Sequence, residues 1–151
     1  MVTVRVSTQV PVARHDVWAA LARLEDHVEW MQDATAIRFQ TAQRRGVGTT
    51  FECDTRIGPL RLTDTMEVTE WQEGVRIGVR HRGAVSGVGT FVLSDAGPST
   101  NDEWEEQLCF PWWLGASVGA QMAKPVFGAL WRGNLRRFGR LVRAEATRGT
   151  P

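Results

Sequence analysis

Apolar and polar side chains alternate over the first ten residues of the chain. One face carries Val2, Val4, Val6 and Val10. A period of two residues is typical of a half-buried β-strand, so the pattern predicts a strand from Val2 to Val10. Pro11 follows and ends the strand, because proline cannot donate to a ladder of strand hydrogen bonds.

Two short helical segments are predicted next. Apolar residues recur at helical spacing from Arg14 to about Leu24, which indicates a helix with one buried side. A second helical turn is predicted around residues 26–31, with Trp30 and Met31 as its apolar side chains.

From Ala34 to Phe110 the pattern changes to short β-rich runs separated by turn residues. Six strands are predicted there, around residues 37–39, 49–57, 60–71, 75–82, 88–95 and 101–110, with a loop over 96–100. Most of the links are short enough for hairpins. With the first strand, this predicts a largely antiparallel sheet of about seven strands.

A long helix is predicted after a short passage of small residues and ends at about Ala146. Its apolar stripe contains Met122, Val126, Leu130, Leu135, Phe138 and Val142. The arginines lie mostly on the opposite side, which favours a solvated face over a nucleic-acid surface. Pro125 predicts a kink, or a break near the start of the helix. Residues 147–151 are predicted to be a disordered tail.

This order of elements predicts one α+β domain over residues 1–146. The long helix must cover its apolar stripe, and each strand has one apolar face, so packing the helix across the sheet satisfies both. A strongly twisted sheet does not close tightly on a helix everywhere. We therefore expect an internal cavity between them.

Several segments resemble a known superfamily, the Bet v 1-like or START-like proteins, which include the polyketide cyclase/dehydrase and lipid-transport proteins. They are Pro11 with Val17-Trp18, Gly46-Val47-Gly48-Thr49-Thr50-Phe51, Met66-Glu67-Val68-Thr69-Glu70-Trp71, Trp104-Glu105-Glu106-Gln107-Leu108 and the last helix. The resemblance extends from Val2 to about Glu145. It implies a helix-grip fold, in which a curved antiparallel sheet wraps around a long C-terminal helix, with two short helices after the first strand. None of these segments is a catalytic motif, and the superfamily includes binders, cyclases, dehydratases and regulators.

Composition and charge narrow the classes of function. The chain has 151 residues and a formal net charge of +1, which gives no general attraction to nucleic acid or acidic membranes. The N-terminus has no signal-peptide pattern, and no apolar run reaches the length of a membrane span. We expect a cytoplasmic protein, a monomer or homodimer, with neither nucleic-acid partner nor membrane insertion. Cys53 and Cys109 fit no metal or redox spacing and are expected to be buried reduced thiols.

Three polar residues are in phase with the inward apolar sets of their strands, and these are Asp64, His81 and Glu106. In the cavity they would supply acid and base for an aldol-type cyclisation, dehydration or isomerisation without metal or organic cofactor. Two alternatives stay open. The carboxylates are paired with arginines or lie near strand ends, and His81 lies at the pocket mouth. A bulge would turn any of the three to solvent.

The remaining candidate site residues are apolar. The expected ligand-binding set is Phe51, Cys53, Leu62, Met66, Ile77, Trp104, Leu108, Phe110, Trp112, Trp113, Met122, Phe127 and Trp131. Trp112 and Trp113 are either a mobile lid near the cavity entrance or ordinary packing between strand and helix.

Three functions are compatible with these features. The first is binding of a small hydrophobic molecule such as a lipid, a polyketide or an aromatic metabolite. The second is a cofactor-independent enzyme of the cyclase or dehydratase type. The third is an interaction module, for which the expected sign is a large exposed apolar patch outside the cavity.

Overall fold

The computed structural model describes residues 1–148, and within them the chain forms seven strands and three helices. The strands are β1 (Val2–Val10), β2 (Ala34–Phe39), β3 (Thr50–Ile57), β4 (Leu60–Gln72), β5 (Arg76–Arg82), β6 (Ser86–Ala96) and β7 (Ser99–Cys109). The helices are α1 (Arg14–Leu21), α2 (His27–Trp30) and α3 (Ala116–Arg148). Single 3-10 turns lie at Leu24–Asp26 and Trp112–Leu114.

The strands form one antiparallel sheet in the order β1-β7-β6-β5-β4-β3-β2. Hairpins connect β2 through β7 in sequence order, and the first strand, β1, pairs with the last strand, β7. This confirms the predicted helix-grip fold. The predicted loop over 96–100 is wrong, because β6 extends to Ala96 and β7 begins at Ser99. Gly97 makes the tight turn between them with a φ of 63°, which glycine adopts without steric cost.

The alternation of the strands places their apolar residues on the concave face. Bulges interrupt the register between Ala34 and Ala36 in β2 and between Val68 and Glu70 in β4. The second bulge follows Asp64 in the chain. The residues of β4 from Leu60 to Met66 therefore keep a single phase, and Asp64 is buried with a relative exposure of 5%.

Helix α3 differs from the prediction at both ends. It begins at Ala116, and it continues through Pro125 as one helix. It also includes Thr147 and Arg148, which the sequence assigned to a disordered tail. The rest of that tail, residues 149–151, lies outside the described residues. The early start escaped the sequence pattern because the first turn contains small and exposed side chains.

The two halves of α3 have different surroundings. Leu135, Phe138 and Val142 in the second half are fully buried, and the helix makes its most extensive sheet contact with β1. Phe138 packs against Trp30 of α2, with ring centroids 4.9 Å apart. The first half faces the open part of the concave sheet, and a cavity remains between the two.

Candidate ligand cavity

A cavity of about 320 Å³ lies between the concave face of the sheet and the first half of α3. Its walls come from strands β2 to β7, from Ala123, Phe127 and Trp131 of α3, and from the segment around α2. Val126 lines the cavity and is also 58% exposed. The cavity therefore reaches the protein surface beside this residue.

Ten of the thirteen residues expected from the sequence to bind a ligand lie on the cavity wall. These are Phe51, Cys53, Leu62, Met66, Ile77, Trp104, Leu108, Phe110, Phe127 and Trp131. Cys53 is buried, as expected of a reduced thiol, whereas Cys109 is exposed. Burial raises the pKa of Cys53 to about 11, so its thiol stays protonated at neutral pH.

The three other residues do not lie on the wall. Trp112, Trp113 and Met122 are 85%, 52% and 76% exposed. A 3-10 turn has three residues per turn, and the turn at Trp112–Leu114 points only its third side chain, Leu114, into the cavity. Met122 is five residues from Phe127, or about 140° around the helix axis. The apolar stripe predicted from the sequence therefore placed Met122 on the wrong side of α3. Trp112 is too exposed for ordinary packing between strand and helix, which was one of the two roles predicted for it.

Aromatic rings form a continuous column along one wall. The ring centroids of Phe91 and Trp104 are 4.9 Å apart, and those of Trp104 and Trp131 are 5.0 Å apart. Phe127 stacks on Trp131 at 5.1 Å with an interplanar angle of 12°. This column joins the sheet to α3 and contributes aromatic surface to the cavity wall.

His81 and Glu106 meet across the sheet. His81 Nε2 donates a hydrogen bond to Glu106 Oε2 at 2.7 Å, and Trp104 Nε1 donates to Glu106 Oε1 at 2.9 Å. The two residues lie on β5 and β7, which are separated by β6, so about 10 Å of sheet lies between their backbones. Gly89 of β6 lies between them and leaves the room, since a Cβ there would approach Glu106 Oε1 to 2.2 Å.

The surroundings of His81 favour its protonated form. Burial by itself lowers the pKa of His81, but the Glu106 carboxylate, its hydrogen bond and Asp64 outweigh burial and raise the pKa above its ordinary value. The pair therefore combines an imidazolium that can give up a proton with a carboxylate that is already hydrogen-bonded at both oxygens. Such a pair is suited to acid–base chemistry inside the cavity.

Asp64 lies on the wall without a hydrogen-bond donor. Its Oδ1 is buried, and the described residues 1–148 offer it no hydrogen-bond partner. Burial raises the pKa of Asp64, and the positive charge of His81 opposes the rise in part. Gly83 makes room for the carboxylate, because a Cβ at that position would come within 1.7 Å of Asp64 Oδ1.

A fourth titratable group, Asp33, was missed by the sequence analysis. It follows α2 and lines the cavity. Asn134 Nδ2 donates to Asp33 Oδ1 at 2.7 Å, and Trp131 Nε1 donates to Asp33 Oδ2 at 3.4 Å. Burial raises the pKa of Asp33, and these hydrogen bonds oppose the rise. The sequence signal that pointed to Asp33 was Asn134, a polar residue in phase with the apolar stripe of α3. A buried amide needs hydrogen-bond partners, and Asp33 is one of them.

His27 is also on the wall, and it is neutral at physiological pH. Its Nε2 donates to the carbonyl oxygen of Leu21 at 2.8 Å. Burial lowers the pKa of His27 to about 4.

No lysine or arginine lies among the lining residues, all of which belong to the described chain. Several arginines pair instead with acidic side chains on the outer face of the sheet, as Arg38 does with Asp54 at 2.8 Å. Arginine pairing therefore does not account for Asp64 or Glu106, and the strand bulges do not turn them outward. Residues 1–148 contain no group of three or more side chains arranged to hold a metal ion. Within the same residues, no helix is long and apolar enough to cross a membrane.

Comparison with known proteins gave one family match. The model for the family described as polyketide cyclase / dehydrase and lipid transport matches residues 1–143. No curated protein matches the chain.

Solved structures share the fold at low sequence identity. A protein from Thermus thermophilus superposes with a TM-score of 0.80 at 15% identity, covering 95% of this chain and 99% of its own. A START superfamily protein from Mycobacterium smegmatis has a TM-score of 0.76 at 15% identity, covering 94% of this chain and 97% of its own. The major latex-like protein 151 of Panax ginseng has a TM-score of 0.70 at 10% identity, covering 92% of this chain and 95% of its own. At these identities the likeness establishes the fold alone.

Proposed function

The chain belongs to the polyketide cyclase / dehydrase and lipid transport family, and on that premise we propose that it binds a small hydrophobic molecule in the cavity beneath α3. The ligand is a lipid, a polyketide or an aromatic metabolite. It enters beside Val126, where the cavity reaches the surface, and contacts the aromatic column of Trp104, Phe127 and Trp131.

The cavity itself is the main support for this proposal. Protein interiors are closely packed, and an unfilled apolar void lowers stability. A void of about 320 Å³ is within the size range of small-molecule sites. Its walls are apolar and aromatic apart from a few polar groups, which is the usual composition of a site that binds an apolar ligand and orients it.

Binding is tested with the neutral dye Nile red, whose fluorescence rises in apolar surroundings, and with native mass spectrometry of the purified protein. Val79 lines the cavity, so Val79→Trp should fill it and abolish dye binding. Val88 is 41% exposed and is not on the wall, so Val88→Trp is the matched control and should bind as the parent does. Equal dye binding by the two variants, or no binding by the parent protein, would refute the proposal.

Catalysis by the His81–Glu106 pair is the second candidate function, and the 2.7 Å hydrogen bond between them is the observation that favours it. Glu106 holds His81 through Nε2, which leaves Nδ1 to exchange a proton with a bound ligand. An enolisable ketone in the cavity would lose an α-proton to one of the carboxylates, Glu106 or Asp64, and gain a proton from the His81 imidazolium, as an aldol cyclisation or a dehydration requires.

This second function is tested with a short poly-β-ketone as the probe substrate. His81→Asn and Glu106→Gln should abolish turnover while Nile red still binds. Glu105→Gln, which changes an outward carboxylate bonded to Arg5, should leave turnover unchanged. If the parent protein does not turn over the probe, or if the two cavity variants retain its activity, the His81–Glu106 pair is not catalytic toward this substrate class.

A further inference from the structure

We propose that the cavity prefers a hydrophobic ligand that carries a protonated amine, and that Asp64 receives the ammonium group. This inference rests on the proposed binding function and specifies the chemical class of the ligand. It separates this cavity from one built for fatty acids or other carboxylates.

The charged groups of the cavity wall are predominantly acidic. Asp33, Asp64 and Glu106 lie on it, and no lysine or arginine of the described chain does. Even a protonated His81 leaves the carboxylates in excess, and its charge is already balanced by Glu106 through their hydrogen bond. A carboxylate ligand would therefore enter a site of its own charge, in surroundings that screen the repulsion poorly.

The three carboxylates differ in how far their hydrogen-bonding capacity is used. Glu106 accepts from His81 and Trp104, and Asp33 accepts from Asn134 and Trp131. Asp64 is buried with 5% relative exposure. Its Oδ1 has no donor anywhere in the described structure. A buried, unpaired carboxylate is unfavourable, and an ammonium group from a ligand supplies both the missing charge and the missing donor.

The apolar lining suits the hydrophobic part of such a ligand. Trp104, Trp131 and Phe127 line the cavity and stack on one another, so they offer aromatic area to that part of the ligand. The rest of the lining is largely aliphatic and accommodates the hydrophobic part of the ligand. The wall therefore combines an apolar container with a single unsatisfied anionic contact.

The test uses three probes with one ring system, namely naphthylmethylamine, naphthylmethanol and naphthylacetic acid, titrated calorimetrically at neutral pH. The amine should bind about ten- to a hundred-fold more tightly than the alcohol, as a hydrogen bond to a charged group implies, and the acid should bind most weakly. Asp64→Asn should remove the advantage of the amine over the alcohol. Asp54→Asn, on the outer face of β3, is the matched control and should keep the advantage.

The possible results distinguish failure of the binding function from failure of the preference for an amine. If none of the three probes binds, the binding function itself fails. If the alcohol or the acid binds as tightly as the amine, the binding function stands and the preference for an amine is overturned. If Asp64→Asn retains the amine preference, Asp64 is not the receiving group. The comparison of the three probes on the parent protein does not depend on any variant folding.

Discussion

Asp102 is a fully buried carboxyl group that does not line the cavity. It lies on the inner face of β7, two residues before Trp104, with a relative exposure of 0%. Neither of its side-chain oxygens has a hydrogen-bond partner among residues 1–148. Burial raises the pKa of Asp102 to about 7, so the folded protein holds a proton there that the unfolded chain releases at a much lower pH.

Replacing Asp102 by Asn should make the protein more stable at neutral pH. Between about pH 4 and pH 7 the folded state binds the Asp102 proton and the unfolded state does not, so the free energy of unfolding falls as pH rises. The loss is at most about 1.4 kcal/mol for each pH unit in that window, and it stops above the folded pKa. Asn cannot ionise, so urea denaturation from pH 4 to 8 should give a shallower decline for Asp102→Asn. Parallel pH profiles for the two proteins would contradict this assignment.

The proton on His81 should depend on Glu106. Without the Glu106 charge, burial dominates, so Glu106→Gln should lower the pKa of His81 relative to the parent protein. An NMR titration of the His81 ring measures this shift. His27 is the internal control, because its pKa of about 4 is set by burial near Leu21 and should not move. An unchanged titration of His81 would show that Glu106 does not stabilise the imidazolium.

The cavity positions of Asp64, His81 and Glu106 followed from the two-residue period of their strands. Each is in phase with the apolar neighbours that the concave face buries, and all three line the cavity. Asp33 could not be found in that way, because it lies between α2 and β2 where no period constrains a side chain. Asp102 is in phase with Trp104, but the period of a strand does not reveal whether a buried carboxyl will find a partner.

Strand β6 shapes the site because it has no side chain at Gly89. It separates the strands of His81 and Glu106, and Gly89 leaves an open path between their side chains. A Cβ at Gly89 would lie 2.2 Å from Glu106 Oε1, a separation that only movement of the carboxylate can relieve. The absence of a side chain on β6 is therefore what allows a pair to form across two strand spacings.

Gly89→Ala should displace Glu106 from His81 and Trp104. We expect a loss of about 1–3 kcal/mol in the free energy of unfolding, as for overpacking in a tight core, together with a fall in the pKa of His81. Urea denaturation and the His81 titration measure the two effects. Gly133→Ala is the matched control in α3, where a Cβ would meet nothing within 4 Å, and it should gain about 0.5–1 kcal/mol. A gain in both variants would show that Gly89 is not required for the pair.

Helix α3 shows where an apolar stripe becomes ambiguous. Met122 and Val126 continue the spacing of the stripe, yet they are 76% and 58% exposed. The side of the helix that faces the protein is defined by Phe127, Trp131 and Leu135. Apolar residues on both sides of the first half of α3 leave the phase undetermined by spacing alone, so contacts with the sheet decide it. This is why the sequence pattern predicted the long helix but misassigned Met122.

In the molecule as a whole, stability and the proposed binding depend on different halves of helix α3. The second half of α3 closes the core with β1 and α2, while the first half covers a space that the chain does not fill. Phe138 and Phe127 represent the two environments within one element. Phe138 is 1% exposed and contacts Trp30, whereas Phe127 is 9% exposed and borders the cavity.

Truncation of these two phenylalanines to alanine should therefore have different consequences. Phe138→Ala removes a fully packed ring and should cost about 3–5 kcal/mol of unfolding free energy while leaving Nile red affinity unchanged under conditions where the protein is folded. Phe127→Ala should cost clearly less, because one side of the ring borders empty space and has fewer contacts to lose. It should also weaken dye binding by removing a ring from the aromatic column. Urea denaturation and dye titration of both variants check the contrast, and equal stability losses with equal dye affinities would mean that α3 is not divided between a core half and a cavity half.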